Sequence, residues 1–257
     1  MKVVDIAFSL NRSIAVGMLA AMNSVAQNAV QPERLRFNIA VPPDELPFFK
    51  EQIQSFFPNP KFKWRLGSFT PPEFLKDYLH NKFLPKTADR ATSRYMQYAR
   101  LLLQTVFTDL TKVIYLDADV VVLGDAASLF DSREFSTDRY FAAVPHFYPA
   151  LFYFGKPFKA IAEARKFRHS FNSGLVFTDF RYWSEETYRC LRYYMDWDAS
   201  YGYRMLNLGD ETILNLMFKD YIQLDPSWNC CGYGNMRPIT WLLRKNLKDV
   251  NVLHWSG

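Results

Sequence analysis

Residues 112–125 read KVIYLDADVVVLGD. Val113 to Leu116 is a short, wholly apolar run of β-branched and aromatic side chains, the pattern of a strand buried on both faces at the centre of a sheet. Two carboxylates, Asp117 and Asp119, follow it with only Ala118 between them. An ionised group is scarcely tolerated in a core unless it is paired or bound to a metal. The pair therefore belongs where the strand leaves the core, and the rest of the chain must supply what it serves.

Working outward, strands and helices alternate. Lys2 to Phe8 reads as a strand, and Ser13 to Gln27 has helical spacing through Ile14, Met18, Ala21 and Val25. Leu35 to Val41, closed by Pro42-Pro43, is a second strand, Glu45 to Phe57 a helix, and Phe62 to Leu66 a third strand. A helix from near Thr92 to Leu110 leads into the Val113–Leu116 strand. Further strands are expected at Phe141–Val144, Gly174–Phe177 and Val250–Leu253, with helices at Tyr182–Trp197 and Asp210–Phe218. Strands joined through helices imply right-handed crossovers and a mostly parallel α/β sheet flanked by helices. No repeat or linker divides the 257 residues, so residues 1–257 are read as one domain.

The composition, 49% hydrophobic and 22% charged, is that of a globular protein. A net charge of +5 without a dense Lys/Arg cluster gives no nucleic-acid groove; Arg165–His169 and Arg244–Lys248 read as solvated helix faces. Cys190, Cys230 and Cys231 have no metal-like spacing, and adjacent cysteines seldom pair, which points to a reduced compartment. Ile14 to Met22 imitates a signal-peptide core, but the strand before it makes it a first helix. The expectation is a cytoplasmic protein, or a catalytic domain of a larger or membrane-attached one, with peripheral membrane association left open.

In an open α/β sheet, ligands gather at the carboxyl ends of the strands. Carboxylates at i and i+2 share a face there and suit a hard divalent cation, with phosphate oxygens and water completing its shell. The alternative is that Asp117 caps a turn while Asp119 faces water. Phe171-Asn172-Ser173-Gly174 reads as a turn presenting an amide and backbone N–H groups at the same edge. Asp210 and Glu211 precede a helix, where acidic caps are the ordinary explanation. His254 is either structural or an imidazole completing the cation's shell.

These pieces, in this order, resemble the retaining glycosyltransferases of family 8, the group that includes glycogenin, galactinol synthase and bacterial lipopolysaccharide galactosyltransferases. The resemblance runs through Asp-Ile-Ala-Phe at 5–8, Asn23-Ser24-Val25, Tyr98-Ala99-Arg100-Leu101, Tyr115–Asp119 and Phe171–Gly174. It continues through Asp210–Asn215, Trp228-Asn229 and His254-x-x-Gly257. It implies a GT-A fold and a UDP-hexose donor, carrying glucose or galactose, held through Mn²⁺, with Mg²⁺ as the alternative ion. By the same resemblance Asp117, Asp119 and His254 ligate the metal. Asn11, Arg100, Asp117, Ala118, Asn172, Ser173 and Gly257 bind the donor, and Asp210 and Glu211 act at the sugar.

Three departures shape the expectation. Where many members carry Asp-Asp-Asn-Tyr, this chain has Asn11-Arg12-Ser13-Ile14, so Asn11 meets the base edge without an aromatic stack. The usual Gln beside the anomeric carbon is Glu211, a carboxylate able to stabilise an oxocarbenium ion or to attack it. No Lys-Pro-Trp follows Gly257, so the diphosphate cation is expected from Arg12 or Arg237, or the C-terminus is truncated. The acceptor is a carbohydrate, a lipid-linked sugar or a protein, and the aromatic segment Phe147–Phe154 is either its platform or packing. The competing readings are a sugar nucleotidyltransferase, disfavoured by the lack of a glycine-rich loop after the first strand, and a non-catalytic sugar or nucleotide binder.

Overall fold

The structure, a computed structural model, describes residues 2–83, 88–146, 153–155, 169–232 and 247–256. Its centre is a seven-stranded sheet ordered β3-β2-β1-β4-β7-β6-β8, with a separate pair β5-β9. The strands are β1 Val4–Ser9, β2 Leu35–Val41, β3 Lys63–Ser68, β4 Lys112–Leu116, β5 Val120–Val122, β6 Phe141–His146, β7 Ser170–Asp179, β8 Ile222–Gln223 and β9 Val252–His254. β1, β2, β3 and β4 run parallel, β7 is antiparallel to β4 and β6, and β8 runs parallel to β6. The expected mostly parallel sheet is thus present, with β7 as its reversed member.

Period-two alternation splits the core into two layers. Ile6, Phe8, Ile114, Leu116, Leu175 and Phe177 face α1 (Ala15–Asn28), α2 (Leu46–Phe56) and α5 (Ala126–Asp131). Ala7, Val113, Tyr115 and Val176 face α3 (Glu73–Phe83), α4 (Ala88–Ala99), α6 (Glu185–Ser200) and α7 (Asp210–Met217). Every residue of β4 is buried, as an apolar strand covered on both faces must be.

The chain leaves β1 toward β2 on one side, whereas β4 pairs with β1 on the other. At such a switch point the loops after the two strands diverge and open a crevice at their carboxyl ends. Asn11 follows β1 there and Asp117 follows β4.

Several expected boundaries move. The helix before β4 does not run unbroken to Leu110: α4 ends at Ala99, and a 3₁₀ segment Arg100–Thr105 follows, with Leu102 off the helical angles (φ −129, ψ 21). Phe171–Gly174 is not a turn but lies inside β7. The register of β7 against β6 shifts between Ala143 and Val144, which pair with Val176 and Asn172, so the backbone around Ser173 bulges. A bulge takes residues out of the ladder around a kink that sequence reads as a turn, and it re-aims side chains at an edge. The last strand is β9, at Val252–His254; it pairs with β5 rather than joining the main sheet. Tyr153 and Phe154, part of the aromatic segment, are buried in the core; 147–152 lie outside the described residues. No described helix is long and apolar enough to cross a membrane.

The approach to α7 is anchored by one buried carboxylate. Asp198, fully buried in α6, sits 2.5 Å from Lys82 Nζ and accepts from the Tyr78 hydroxyl at 2.7 Å. It also takes the backbone N–H groups of Met205 and Leu206 at 2.7 and 3.1 Å. Removing one partner of a buried ion pair strands the other, so Asp198→Ala is expected to cost more than about 3 kcal/mol. Urea unfolding measures this, and a loss below about 1 kcal/mol would show that the knot does not hold this half of the fold.

Candidate active site

Asp117 leaves β4 with its N–H on the carbonyl of Gly174, 2.9 Å away in β7. Alternation along β4 puts its side chain on the Tyr115 face, toward the segment after α4. Arg100 is waiting there. Its Nη2 donates to Asp117 Oδ1 at 2.8 Å, its Nη1 to the Ser173 carbonyl at 2.8 Å, and its guanidinium lies 4.5 Å from the Tyr115 ring centroid. The Tyr115 hydroxyl is tied to Ser9 Oγ at 2.9 Å, and Ser9 donates to the Met96 carbonyl. Burial disfavours the charge on Arg100, but Asp117 and Asp210 outweigh it and hold the guanidinium firmly protonated.

The far end of the chain completes the edge. Pairing of Val120 with His254 zips β9 onto β5, and the Trp255 N–H reaches the Asp119 carbonyl at 3.0 Å. This carries the buried His254 imidazole to 3.2 Å from Asp119 Oδ1 and 4.0 Å from Asp117 Oδ2. Gly174 makes the approach possible, because a Cβ there would stand 2.0 Å from His254 Cε1. Burial alone would discourage an imidazolium, yet the bond to Asp119, the neighbouring Cys231 and the field of Asp117 push its pKa up to about 10. Burial likewise works against Asp119, but His254 overcomes it and holds that carboxyl below its usual range.

Asp117, Asp119 and His254 offer ligand atoms all within 4.8 Å of one another. A cation bound at about 2.0–2.3 Å by oxygen and imidazole nitrogen spaces its ligands roughly 3–4 Å apart. The donor set therefore fits a divalent ion such as Mn²⁺ or Mg²⁺. A lone turn-capping role for Asp117 does not describe this arrangement.

Opposite the triad, Gly209 turns the chain into α7 with φ +60 and ψ −126, a conformation that excludes a side chain. Asp210, 1% exposed, lies 2.9 Å from Arg100 Nε, but neither of its oxygens receives a well-directed hydrogen bond among the described residues. Burial raises its pKa to about 6 despite Arg100. Glu211 is pushed further, to about 7, by burial, with the Ser173 N–H opposing the shift and Asp210 adding to it. Its Oε2 accepts from Asn172 Nδ2, Ser173 N and Ser173 Oγ at 3.1, 2.9 and 3.1 Å.

The remaining expected residues are placed unevenly. Asn11 is buried at the crevice, its amide donating to Ser93 Oγ and accepting from Ser13 Oγ. Ala118 presents its carbonyl to Gly17 of α1. Ser173 spends its N–H, hydroxyl and carbonyl on Glu211 and Arg100. Arg12, one candidate diphosphate cation, is paired with Glu45 at 2.9 Å and lies over the Phe48 ring. Gly257 and Arg237 lie outside the described residues, as does most of Arg165–His169 and Arg244–Lys248. Sequence reading gave no role to Tyr115, Gly174 or Asn229, whose site contacts are with Ser9, His254 and Asn172 far along the chain; Asn229 touches His254 Nδ1 at 2.9 Å and Asn172 Oδ1 at 3.0 Å.

The family model described as glycosyl transferase family 8 matches residues 5–257. A curated relative, "Probable galacturonosyltransferase-like 6" of Arabidopsis thaliana, is 26% identical over 267 residues, covering 99% of this chain and 72% of its own length. Among solved structures, an active-site glutamine-to-glutamate mutant of LgtC aligns with a TM-score of 0.69 at 18% identity, covering 99% of this chain and 88% of that one. The galactosyltransferase LgtC in complex with donor and acceptor sugar analogs aligns with a TM-score of 0.68 at 18% identity, covering 99% and 87%. These likenesses are to GT-A glycosyltransferase folds.

Two outcomes follow from this geometry. Gly174→Ala is expected to displace His254 and weaken Mn²⁺ binding about 100-fold, measured by calorimetry; wild-type affinity would show that the imidazole is not a ligand. For Glu211, the folded chain keeps a proton that the unfolded chain releases, between its ordinary 4.5 and about 7. Stability therefore falls as pH rises through that window. Glu211→Gln should be more stable than wild type by about 1–3 kcal/mol at pH 8 and equal to it near pH 4.5. Urea midpoints at the two pH values test this, and a pH-independent difference would refute it.

Proposed function

The chain belongs to glycosyl transferase family 8, and we propose that it moves a hexosyl group, glucosyl or galactosyl, from a UDP-sugar to an acceptor with retention at the anomeric carbon. The observation that carries the proposal is the convergence of Asp117, Asp119 and His254 within 4.8 Å at the crevice where Arg100, Asp210 and Glu211 also meet. A divalent ion held by that triad supplies neutralisation of the charge that develops on the departing diphosphate.

The protein's own groups divide the remaining work. Arg100 has five N–H donors; its contacts among the described residues leave hydrogens on Nη1 and Nη2 for phosphate or sugar oxygens. Asp210 is a buried carboxylate short of directed donors, and a sugar hydroxyl donating to it satisfies both partners. Glu211 is held by three donors on one oxygen. In the double-displacement form, a Glu211 oxygen bonds to the anomeric carbon as the bond to the diphosphate breaks. The acceptor oxygen then displaces Glu211 and passes its proton to the departed diphosphate, and this second inversion restores the starting configuration. In the other form, Glu211 stabilises the oxocarbenium ion without bonding to it. Both need the carboxylate, so turnover should rise with pH around a midpoint near 7.

The curated relatives carry the word galacturonosyltransferase in their names, and the chain spans 65–75% of such relatives' lengths. A second donor class, UDP-hexuronate, follows from those names. The neutral sugar is the first reading because, among the described residues, the Arg100 guanidinium is already engaged by Asp117 and Asp210 and no other described cation faces the carboxylates of Asp210 and Glu211.

Donor turnover with and without Mn²⁺ tests the proposal, using UDP-glucose, UDP-galactose and UDP-galacturonate, with product anomers read by NMR. The expected result is Mn²⁺-dependent release of a neutral hexose in the α configuration, and a drop in kcat of at least about 100-fold in Glu211→Gln. Preference for the uronate would overturn the hexose assignment. A Glu211→Gln enzyme within a few-fold of wild type would reduce Glu211 to a positioning role, and no turnover of any donor would overturn the transferase reading.

A further inference from the structure

Asn229 follows the 3₁₀ turn Pro226–Trp228, is 5% exposed, and sits between the two halves of the site. Its amide and that of Asn172 form a chain whose direction is set by one group that can act in only one way. The Gly174 backbone N–H can only donate, and it lies 2.9 Å from Asn172 Oδ1, which therefore accepts. Asn172 must then turn its Nδ2 to Glu211 Oε2, at 3.1 Å. The Asn229 amide nitrogen, 3.0 Å from the same Asn172 oxygen, must donate to it. That leaves Asn229 Oδ1 facing His254 Nδ1 at 2.9 Å, and an oxygen there requires the proton to be on Nδ1. Neither amide can flip without setting oxygen against oxygen, and Nε2 is left as the nitrogen turned to Asp117 and Asp119.

We infer that Asn229 is a positioning residue that fixes His254 in its Nδ1–H tautomer for the cation and, through Asn172, fixes Glu211, so that the two halves of the site are built as one hydrogen-bonded unit. A histidine that binds metal through one nitrogen gains basicity and a fixed ring plane when its other N–H is taken by a buried acceptor. The Cys231 thiol, 3.4 Å from the same Asn229 oxygen, closes the remaining side of that acceptor. The inference rests on the reading of Asp117, Asp119 and His254 as a cation site.

Asn229→Asp separates the two roles. It keeps an oxygen for His254 Nδ1–H but sets a carboxylate oxygen against Asn172 Oδ1, which must turn and release Glu211. Asn229→Ala removes both contacts. Mn²⁺ affinity of the donor-free protein, read from the EPR signal of free Mn²⁺, should fall about 10- to 100-fold in Asn229→Ala and stay within about threefold in Asn229→Asp. With UDP-galactose, Asn229→Asp should lose at least about tenfold in kcat with KM for the donor little changed. Long-range ¹H–¹⁵N NMR of the Zn²⁺-loaded wild type should place the His254 proton on Nδ1, a readout that stands even if a variant fails to fold.

A proton on Nε2, or Mn²⁺ binding by Asn229→Ala within about twofold of wild type, overturns the inference while leaving the cation site intact. Full kcat in Asn229→Asp overturns the coupling to Glu211. A wild type that binds neither Mn²⁺ nor Zn²⁺ overturns the cation reading itself, and the inference with it.

Discussion

The buried contact between Arg100 and the carboxylates of Asp117 and Asp210 is the constraint on which the site depends. Asp117 follows the central strand and Asp210 begins a helix nearly a hundred residues later, and Asp210 is wholly taken out of water. Unpaired, the buried Asp210 carboxylate would carry a desolvation cost of several kcal/mol. One guanidinium, resting on Tyr115 and bonded to the bulged carbonyl of Ser173, serves both and also joins β4, β7 and α7. Arginine suits this better than lysine because its flat fork can face several acceptors at once.

The compensation is incomplete, and that bears on function. Asp210 and Glu211 are both displaced upward by burial, to about 6 and about 7, and Asp210 lacks directed hydrogen bonds among the described residues. A fold selected for stability alone would use neutral side chains at these places, as the local cost of adjacent buried carboxylates is real. Around them the scaffold is strongly satisfied: the Asp198 knot steadies the approach to α7, and the amides of Asn172 and Asn229 are engaged on both sides. Rigid surroundings around an under-satisfied centre are what a site poised for a polar ligand requires.

Much of the fold could be read in advance because its signals are local. The apolar run of β4, the proline closure of β2 and the helical period after β1 each encode an element within a few residues. The errors arise where tertiary contacts override local signals. Asn172-Ser173-Gly174 has the composition of a turn, yet the Ser173 N–H bond to Glu211, the pairing of Asn172 with Val144 of β6 and the Asp117 N–H on the Gly174 carbonyl keep it inside a bulged strand. The run Leu101–Leu110 is apolar enough for a continuing helix, but Leu101, Leu102 and Leu103 are buried while Arg100 reaches Asp117 and Ser173, and Arg100–Thr105 is a 3₁₀ segment.

The sequence by itself determined the central strand, the paired acidic residues at its end, the supply of a late histidine, and the acidic pair Asp210 and Glu211. These are matters of residue type and short-range order, legible because strand burial and charge conflict within one short stretch. The tertiary structure alone decided that β9 folds back onto β5 to deliver His254, and that Gly174 is small so that an imidazole can pass. It also decided that Asn229 orients that imidazole and that Arg100 faces two carboxylates. Each of these joins residues from 17 to more than a hundred positions apart. Nothing in the local chain records such a contact, because its energy exists only once the distant partner has been brought into place.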